Sequence, residues 1–299
     1  MKILVTGRGG QVGWELNRCL LPLGEVVAVD YPEFDLSKPE KLRTMVRKIR
    51  PDIIVNAAAY TAVDKAESEE ELATLVNAAA PGVLAEEAER SGALLVHYST
   101  DYVFDGTQEG PYTEDDEPNP INAYGRTKLG GERAIQAAGV DHLILRTSWV
   151  YAARGNNFLR TILRLARERE ELSIIDDQTG SPTWARLIAD TTVHCLRQSQ
   201  EERQRGVFKS DVYNLIASGK TTWFGFAQAI LETARRNGLQ DIMTKDIKPI
   251  TTAEYPTDAK RPLNSCLSTS KIAHHFSLTM VDWRHALELC LENKALSKP

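Results

Sequence analysis

The segment "VTGRGGQVG", Val5–Gly13, joins a short apolar run to the amphipathic stretch "QVGWELNRCLL". Its glycines Gly7, Gly10 and Gly13 fall where a predicted strand passes into a predicted helix. Glycine tolerates a positive φ and lets the backbone approach a ligand closely, and the N–H groups at a helix N-terminus attract anions. The G-x-x-G-x-x-G spacing therefore predicts a phosphate-binding turn, although similar turns also occur as plain strand-to-helix connections.

Beyond this turn, strand-like runs alternate with helical patterns. The strand-like runs are "KILVTG", "EVVAVD", "DIIVNAAA", "ALLVHYST" and "HLILRTSW". Such alternation produces right-handed βαβ units and a parallel sheet. We expect an α/β fold with a Rossmann-like doubly wound parallel sheet that binds a dinucleotide in residues 1–148, joined by later strands from the second half. Residues 149–299 are expected to form mainly a smaller, interleaved C-terminal α/β substrate lobe.

The composition of the 299 residues is that of an ordinary globular protein, with 42% hydrophobic and 26% charged residues. A net charge of -5 argues against a nucleic-acid partner, because such a partner requires a basic face. No apolar stretch is long enough to span a bilayer, so we expect no membrane association. The cysteines Cys19, Cys195, Cys266 and Cys290 lie far apart without a C-x-x-C pair. We therefore expect a cytoplasmic protein with reduced thiols.

The residues after the second and third predicted strands bear on the choice of dinucleotide. Asp30 ends the second strand, where an acidic residue commonly binds the adenosine ribose hydroxyls, and this favours NADH. Arg8 lies inside the glycine turn and could contact a 2′-phosphate, which favours NADPH. The choice between them stays open. The small side chains of Ala57–Ala59 could let a cofactor lie against the strand end or could simply pack tightly.

The segments "STDYVFDG", Ser99–Gly106, and "NAYGRTK", Asn122–Lys128, carry the candidate chemistry. Tyr124 and Lys128 lie four residues apart on a predicted helix and so project from one face. A nearby ammonium should lower the phenol pKa from about 10 and make Tyr124 a usable proton donor or acceptor. Thr100, at the end of the fourth strand, could hydrogen-bond a substrate carbonyl beside that phenol. The tyrosine–lysine spacing alone is weak, but the ordered combination with the glycine turn is specific.

With these motifs in order, the chain resembles the extended short-chain dehydrogenase/reductase superfamily over essentially its full length. Within that superfamily it is similar to the dTDP-4-dehydrorhamnose reductase family. The similar motifs are "GQVGWEL", "NAAAYTAVDKAE", "STDYVFDG", "YGRTKLGGE", "RTSWVY", "GNNF" and "DDQTGSPT". The resemblance implies that NADPH or NADH delivers hydride to C4 of dTDP-4-dehydro-β-L-rhamnose, the last step of dTDP-L-rhamnose synthesis. Tyr124 would protonate the new alkoxide.

The resemblance also implies roles for individual residues. The catalytic residues would be Thr100, Tyr124 and Lys128. The cofactor-binding residues would be Gly7, Gly10, Gln11, Val12, Gly13, Asp30, Asp35, Leu36, Ala57, Ala58, Ala59, Tyr124 and Lys128. The substrate-binding residues would be Thr61, Val63, Thr100, Asp101, Trp149 and Arg261. Lys128 would hold the nicotinamide ribose, Trp149 would cover the sugar, and Arg261 would bind the nucleotide diphosphate through two bonds unless it is only a solvated loop cation.

Three other functions compete with reduction. Related nucleotide-sugar dehydratases carry glutamate where this chain has Tyr102, so dehydration is disfavoured. Nucleotide-sugar epimerases share the tyrosine and lysine, and epimerase activity remains an alternative. A second alternative is a non-catalytic protein resembling the regulatory subunit of methionine adenosyltransferase, but Thr100, Tyr124 and Lys128 together disfavour a purely regulatory role.

Metal binding and self-association are expected to be weak or absent. Some family members are thought to dimerise around magnesium held by carboxylates, one matching Glu15 and another falling at Arg186. A guanidinium has only donors and cannot ligate a cation, so magnesium is doubtful and a monomer or weak homodimer is expected. His97 alternates with apolar residues in a strand and is interpreted as a hydrogen-bonded core residue rather than a ligand. No metal ligands are predicted.

Overall fold

A central parallel sheet organises the molecule, which the structure, a computed structural model, describes over residues 1–292. The strands are β1 (Lys2–Thr6), β2 (Glu25–Val29), β3 (Ile53–Asn56), β4 (Leu94–Thr100), β5 (His142–Thr147), β6 (Val150–Tyr151), β7 (Glu171–Ile175), β8 (Thr179–Gly180), β9 (Thr183–Trp184), β10 (Asp211–Asn214), β11 (Thr221–Thr222) and β12 (Asp246–Ile250). The helices are α1 (Gln11–Cys19), α2 (Pro39–Ile49), α3 (Val63–Ala66), α4 (Glu70–Thr74), α5 (Ala80–Ser91), α6 (Ala123–Ala137), α7 (Phe158–Glu168), α8 (Ala185–Gln204), α9 (Trp223–Arg236), α10 (Ser270–His275) and α11 (Trp283–Glu292).

The main sheet has six strands in the order β10-β5-β4-β3-β1-β2, and all neighbouring pairs are parallel. The predicted Rossmann-like α/β fold is therefore confirmed. From β1 the chain moves outward to β2 and then returns to place β3 on the other side of β1. Such a reversal opens a crevice at the carboxyl ends of β1 and β3, where ligands bind in open α/β sheets.

Alternating side chains of the strands build two apolar layers. On one face Ile3, Val5 and Val55 pack in a core that also receives Ile188 and Leu196 from α8. On the other face, Leu4, Ile54 and Leu95 belong to a core that is completed by residues of α2 and α5. Burying one such side chain stabilises the fold by roughly 1.5–3 kcal/mol, so both helical layers hold the sheet firmly.

The second half of the chain builds a separate apolar core and also returns to the main sheet. Tyr151, Phe226 and Trp283 pack with residues of α7, α9 and α11 in that core. β10 hydrogen-bonds β5 and forms the outer strand of the main sheet. The division into a dinucleotide-binding part, residues 1–148, and a substrate part, residues 149–299, stays a prediction, and residues 293–299 lie outside the described residues.

Helix α6 approaches its neighbours closely because glycines face them. A π-helical turn, Leu75–Ala79, joins α4 to α5. A Cβ on Gly131 would lie 2.2 Å from the carbonyl oxygen of Asn77 in that turn. A Cβ on Gly125 would lie 2.1 Å from the carbonyl oxygen of Tyr102. The glycines of "YGRTKLGGE" therefore bring α6 against the carboxyl end of β4.

Across residues 1–292, none of the helices combines the length and the apolar character needed to cross a membrane.

Candidate active site

The glycine turn between β1 and α1 has the geometry of an anion cradle. Gly7 has a φ of +74°, and a Cβ at that position would lie 2.9 Å from the backbone of Ala58. A Cβ on Gly13 would lie 2.0 Å from the carbonyl oxygen of Gly7, so only glycine fits. The N-cap of α1 is Gly10, and no side chain caps the helix. Its first N–H groups are thus left for a phosphate, and the turn fits a dinucleotide diphosphate.

The two features that favour different dinucleotides lie side by side at the ends of β1 and β2. Asp30 accepts a hydrogen bond at Oδ2 from the backbone N–H of Gly9, with a distance of 2.7 Å. The Arg8 guanidinium lies 3.6 Å from the carboxylate of Glu33, and both side chains are exposed. The carboxylate that would bind a ribose and the cation that would bind a 2′-phosphate are therefore both present at the turn.

The remaining predicted cofactor residues line the loops after β2 and β3. Oδ1 of Asp35 accepts hydrogen bonds from the backbone N–H of Ser37 at 2.9 Å and from its hydroxyl at 2.7 Å. These bonds hold the pKa of the Asp35 carboxyl below its usual value. Leu36 is buried in the core beside α2. Ala57–Ala59 follow β3 directly and are half-buried beside the glycine turn.

The polar end of β4 carries a buried carboxyl group. Thr100 donates from Oγ1 to Oδ1 of Asp101 at 2.9 Å and accepts from the backbone N–H of Tyr102 at 3.2 Å. Burial raises the pKa of Asp101 to about 7, although hydrogen bonding by Thr100 opposes the rise. No hydrogen bond of ordinary geometry reaches Oδ2 of Asp101 among residues 1–292, although the Ser265 hydroxyl is near enough to oppose the rise in pKa as well. Buried polar atoms are rarely left unpaired, so this oxygen is a candidate acceptor for a ligand hydroxyl.

Tyr124 lies in the first turn of α6, at the same edge of the sheet. The side chain of Asn122 caps this helix by accepting from the N–H of Gly125 at 2.8 Å. The Tyr124 ring packs edge-to-face against Tyr102 with 5.9 Å between ring centroids. Burial and the Asp101 carboxylate raise the pKa of Tyr124 to about 12, while a hydrogen bond with Thr100 opposes the rise. The phenol therefore stays protonated at neutral pH.

Lys128 lies one helical turn beyond Tyr124, as the spacing predicts, but its ammonium turns toward the sheet. Nζ donates to the carbonyl oxygen of Tyr98 at 2.5 Å and lies 3.1 Å from Nε2 of His97. Burial lowers the pKa of Lys128 to about 8. The prediction that Lys128 lowers the pKa of Tyr124 is wrong in this arrangement, because burial and Asp101 outweigh any effect of an ammonium held by Tyr98 and His97.

Sequence reasoning missed the connection that leads from Lys128 across the sheet. Thr6 donates to Oδ1 of Asn56 at 2.6 Å, and Nδ2 of Asn56 lies 3.0 Å from Nδ1 of His97. These three residues, here called the polar row, are aligned in register on β1, β3 and β4. The interpretation of His97 as a buried, hydrogen-bonded residue is confirmed, but its contact with Lys128 was not foreseen. The available signal was a polar residue in each of three apolar strands, at the last position of β1 and β3 and in the middle of β4.

A second missed residue is Asn77 in the π-helical turn. Its Oδ1 accepts from the N–H of Tyr60 at 2.9 Å, and its Nδ2 donates to the carbonyl oxygen of Tyr60 at 3.0 Å and to Thr127 at 3.2 Å. These bonds attach the loop after β3 to α6. Single π-helical turns often mark functional sites, but no sequence pattern indicated this one.

Three of the other predicted substrate residues lie in the segments that follow β3 and β5. Thr61 is exposed and Val63 is half-buried at the start of α3. Trp149 has a left-handed φ of 45°, and its ring stacks on Trp223 with 3.6 Å between centroids. A Cβ on Gly180 would lie 2.5 Å from the Trp149 ring. Trp223 is half-buried, packs against the core of the second half and supports the Trp149 ring from behind.

Arg261 is held by a carboxylate from a distant motif. Its Nη2 donates to Oδ2 of Asp64 at 2.8 Å, and its Nη1 donates to Thr257 at 2.5 Å. Arg261 hydrogen-bonding holds the pKa of Asp64 below its usual value. The ion pair connects α3 with the loop that carries Arg261. Binding of a diphosphate by Arg261 would have to compete with Asp64.

No group of three histidine, cysteine, aspartate or glutamate side chains within the described part of the chain has the arrangement of a metal site. Arg186 lies 3.8 Å from the carboxylate of Asp190 on α8. The expectations about magnesium and oligomeric state stay predictions.

Known proteins resemble this chain along nearly its whole length. The family model described as RmlD substrate binding domain matches residues 1–296. A dTDP-4-dehydrorhamnose reductase from Burkholderia thailandensis is 53% identical over 294 residues, covering 98% of this chain and 99% of that protein. The enzyme of the same name from Escherichia coli is 50% identical over 288 residues and covers 95% of each chain.

A solved structure supports the same assignment. The dTDP-4-dehydrorhamnose reductase from Bacillus anthracis in complex with NADP has a TM-score of 0.88 and 33% identity, with 97% of this chain and 98% of that chain covered. The agreement thus extends from sequence motifs to the complete fold. The chain belongs to the dTDP-4-dehydrorhamnose reductase family.

Proposed function

We propose that this chain reduces the C4 ketone of dTDP-4-dehydro-β-L-rhamnose to give dTDP-L-rhamnose, with NADPH or NADH as reductant. The observation that carries the proposal is that Thr100, at the end of β4, hydrogen-bonds Tyr124 in the first turn of α6, with Lys128 one helical turn further along. The glycine turn follows β1 at the carboxyl edge of the same sheet. The names of the relatives at 50% and 53% identity support this substrate. We further propose that the protein acts in the cytoplasm as a monomer or weak homodimer.

The residues around the turn fit a bound dinucleotide. Gly10, Gln11 and Val12 would contact its diphosphate, Asp30 its adenosine ribose, and Lys128 its nicotinamide ribose. A reduced nicotinamide supplies the hydride for the reaction. Because Arg8 and Asp30 are adjacent, we expect both cofactors to be used, and Arg8→Ala should weaken NADPH binding more than NADH binding.

Tyr124 would supply the proton that completes the reduction. The ketone carbon gains the hydride, and the phenolic proton of Tyr124 passes to the carbonyl oxygen, so that the product is a neutral alcohol. The pKa of about 12 keeps Tyr124 protonated before this step. Thr100 would polarise the same carbonyl through its hydroxyl. The phenolate then regains a proton from solvent.

The neighbouring side chains would position the sugar nucleotide. Oδ2 of Asp101, which is buried and receives no hydrogen bond of ordinary geometry among residues 1–292, would accept a hydrogen bond from a sugar hydroxyl. Trp149, held rigid by Trp223, would cover the sugar ring. Arg261 would leave its ion pair with Asp64 and bind the diphosphate of the substrate. Thr61 and Val63 would complete the surface that contacts the sugar nucleotide.

The test follows oxidation of NADPH and of NADH by absorbance, with enzymatically generated dTDP-4-dehydrorhamnose as substrate. Tyr124→Phe should lower turnover by at least ~10² because the proton donor is lost, while NADPH affinity stays nearly unchanged. Tyr102→Phe is the matched comparison, since it removes the hydroxyl from the ring that packs on Tyr124. It should lower turnover much less.

Two results would reject the proposal. If the unaltered chain oxidises neither cofactor with this substrate, the assigned reaction is wrong. If Tyr124→Phe turns over as fast as the unaltered chain, the assigned proton donor is wrong. Product analysis for dTDP-L-rhamnose separates reduction from epimerisation, which leaves no net oxidation of the cofactor.

A further inference from the structure

The polar row of Thr6, Asn56 and His97 occupies positions that the fold elsewhere fills with aliphatic side chains. Each of the three is about 1% exposed. Two residues earlier on the same strands, and on the same face of the sheet, lie Leu4 and Ile54 next to Leu95. Buried polar groups are unfavourable unless they are hydrogen-bonded, so three of them in register call for an explanation beyond packing.

The two ends of the polar row identify what it serves. At one end, Oγ1 of Thr6 accepts from the N–H of Ala58 at 3.3 Å, in the loop that would line the cofactor. At the other end, Nε2 of His97 lies 3.1 Å from Nζ of Lys128. Lys128 itself is 2% exposed. The polar row therefore connects two parts of the proposed cofactor site through the interior of the sheet.

We propose that His97 is a positioning residue for the reduction: one ring nitrogen holds the Lys128 amino group while the other is fixed by Asn56. This inference rests on the proposed function, because the role of Lys128 is part of it. The ion pairs formed by residues 1–292 do not include Lys128, so the directional contacts of Nζ are those with His97 and the carbonyl oxygen of Tyr98. His97 thus fixes the direction in which the long lysine side chain points.

The arrangement requires a neutral imidazole. A neutral imidazole has one acceptor nitrogen, so Nε2 accepts from the Lys128 ammonium and Nδ1 carries the ring proton. That proton needs the amide oxygen of Asn56 opposite it, and a half-turn of the Asn56 amide, which exchanges its oxygen and nitrogen, supplies this acceptor. A protonated ring would place two cations 3.1 Å apart in a buried site. Burial and the charge of Lys128 hold the pKa of His97 well below its usual value, which is consistent with a ring that stays neutral while the lysine carries the charge.

Two substitutions at position 97 separate positioning from packing. His97→Gln places an amide near the site of Nε2, so it keeps a partner for Lys128. His97→Asn places an amide near the site of Nδ1, so it keeps the bond to Asn56 and loses the one to Lys128. Both variants remove the ring and leave a polar group in the row.

The readouts are the NADPH dissociation constant from calorimetry, without substrate, and kcat and KM for the sugar nucleotide. His97→Asn should weaken NADPH binding and lower kcat by about tenfold or more, since a hydrogen bond to a charged group is lost. His97→Gln should stay within about threefold of the unaltered chain on both measures. KM for the sugar nucleotide should change little in either variant.

The matched controls use another buried histidine on the same sheet. His142 begins β5, and its Nδ1 lies 2.8 Å from the carbonyl oxygen of Val140, away from Lys128. His142→Asn and His142→Gln should leave NADPH affinity and kcat unchanged even if they lower thermal stability. The inference is overturned if His97→Asn and His97→Gln bind NADPH equally well.

A double-mutant cycle with Lys128→Met tests independently whether His97 affects NADPH affinity through Lys128. In the Lys128→Met background, His97→Asn should cause no further loss of NADPH affinity, because the contact it breaks is already absent. An equal loss in both backgrounds would show a structural role and reject the inference. His97→Leu, which fills the site with an aliphatic side chain, enters the same cycle if His97→Asn does not fold.

The outcomes also separate this inference from the proposed function. If the unaltered chain binds NADPH but reduces no sugar nucleotide, the proposed function fails, and the binding comparison of the two His97 variants still decides the role of His97. If reduction is found and the two His97 variants bind NADPH equally well, only the inference fails.

Discussion

Helix α6 carries two buried charges one turn apart, Lys128 and Glu132, and their partners differ in charge. Glu132 accepts two hydrogen bonds from Arg146 on β5, at 3.0 and 2.7 Å, and both side chains are almost fully buried. Lys128 has the neutral partners His97 and Tyr98. One charge is balanced by an opposite charge within the protein, whereas the other is a cation held by neutral groups among residues 1–292.

This difference suggests that the charge of Glu132 stabilises the fold, whereas that of Lys128 serves the reaction. A buried ion pair with two-point geometry offsets much of the desolvation of its members, whereas a buried cation beside neutral groups does not. The Glu132 carboxylate favours the charged form of Lys128, but desolvation dominates and lowers the pKa of Lys128 to about 8. Perturbed groups of this kind concentrate at functional sites.

Breaking the balanced pair should have the largest effect, and the effect should be on stability. Glu132→Gln leaves Arg146 buried without a counter-charge and should lower the free energy of unfolding by about 3–5 kcal/mol. Urea denaturation measures this loss, and kcat of the folded protein should be retained at a pH well below 8, where Lys128 stays charged without Glu132. Glu168→Gln breaks the exposed pair with Arg164 on α7 and should lower stability by only about 0.3–0.5 kcal/mol. Equal losses would contradict the comparison.

Removing the unbalanced cation should affect activity instead. Lys128→Met should lower kcat/KM by ~10² or more, since the group that would hold the nicotinamide ribose is lost. Its thermal stability should be unchanged or higher, because an apolar side chain replaces a buried cation that has no counter-ion among residues 1–292. Lys209→Met, at an exposed position, is the control for loss of a lysine charge. A large destabilisation by Lys128→Met with full specific activity would reverse the assignment.

The same cation should make activity and stability respond oppositely to alkaline pH. Lys128 loses its proton near pH 8 in the folded protein, so kcat/KM should fall above that pH, approaching tenfold per unit. The unfolded chain holds this proton up to the usual lysine pKa of about 10.4 and therefore binds more protons between these values. Stability contributed by this group should then rise with pH in that window. Comparison with Lys128→Met isolates both effects.

Asp101 is a third buried titratable group, and its effect on stability should depend on pH. Its folded-state pKa of about 7 lies above the usual value of 3.8, so the folded protein binds more protons between these values. Its contribution therefore destabilises the fold as pH rises through that window. Asp101→Asn should raise the melting temperature at pH 8 relative to pH 5 by about 2–4 °C for each kcal/mol relieved. An equal change at both pH values would exclude a buried, titrating carboxyl group.

Much of the fold and part of the site were accessible from local patterns. Strand-like runs and the glycine turn predicted the parallel sheet, and the spacing of Tyr124 and Lys128 predicted their common helix face. The contact between Lys128 and His97 depends on the pairing of β4 with its neighbours, and the ion pair of Arg261 with Asp64 joins distant segments. Such contacts follow from tertiary packing, which a single sequence does not display.

The Tyr124 pKa was mispredicted for the same kind of reason. Helical spacing places an ammonium on the same face as the phenol but says nothing about where the long lysine side chain ends. The polar row draws that ammonium to the sheet, and burial with Asp101 then governs the phenol.

The outer position of β10 in the main sheet has a consequence for synthesis of the protein. While only the first 148 residues have left the ribosome, β5 is an open strand edge, and the apolar face later covered by α8 is bare. Open edges and bare apolar faces recruit other chains, so nascent fragments of this length should be prone to aggregate or to bind chaperones. The residues proposed to bind the cofactor all precede β5, but about 214 residues must emerge before β10 can complete the sheet.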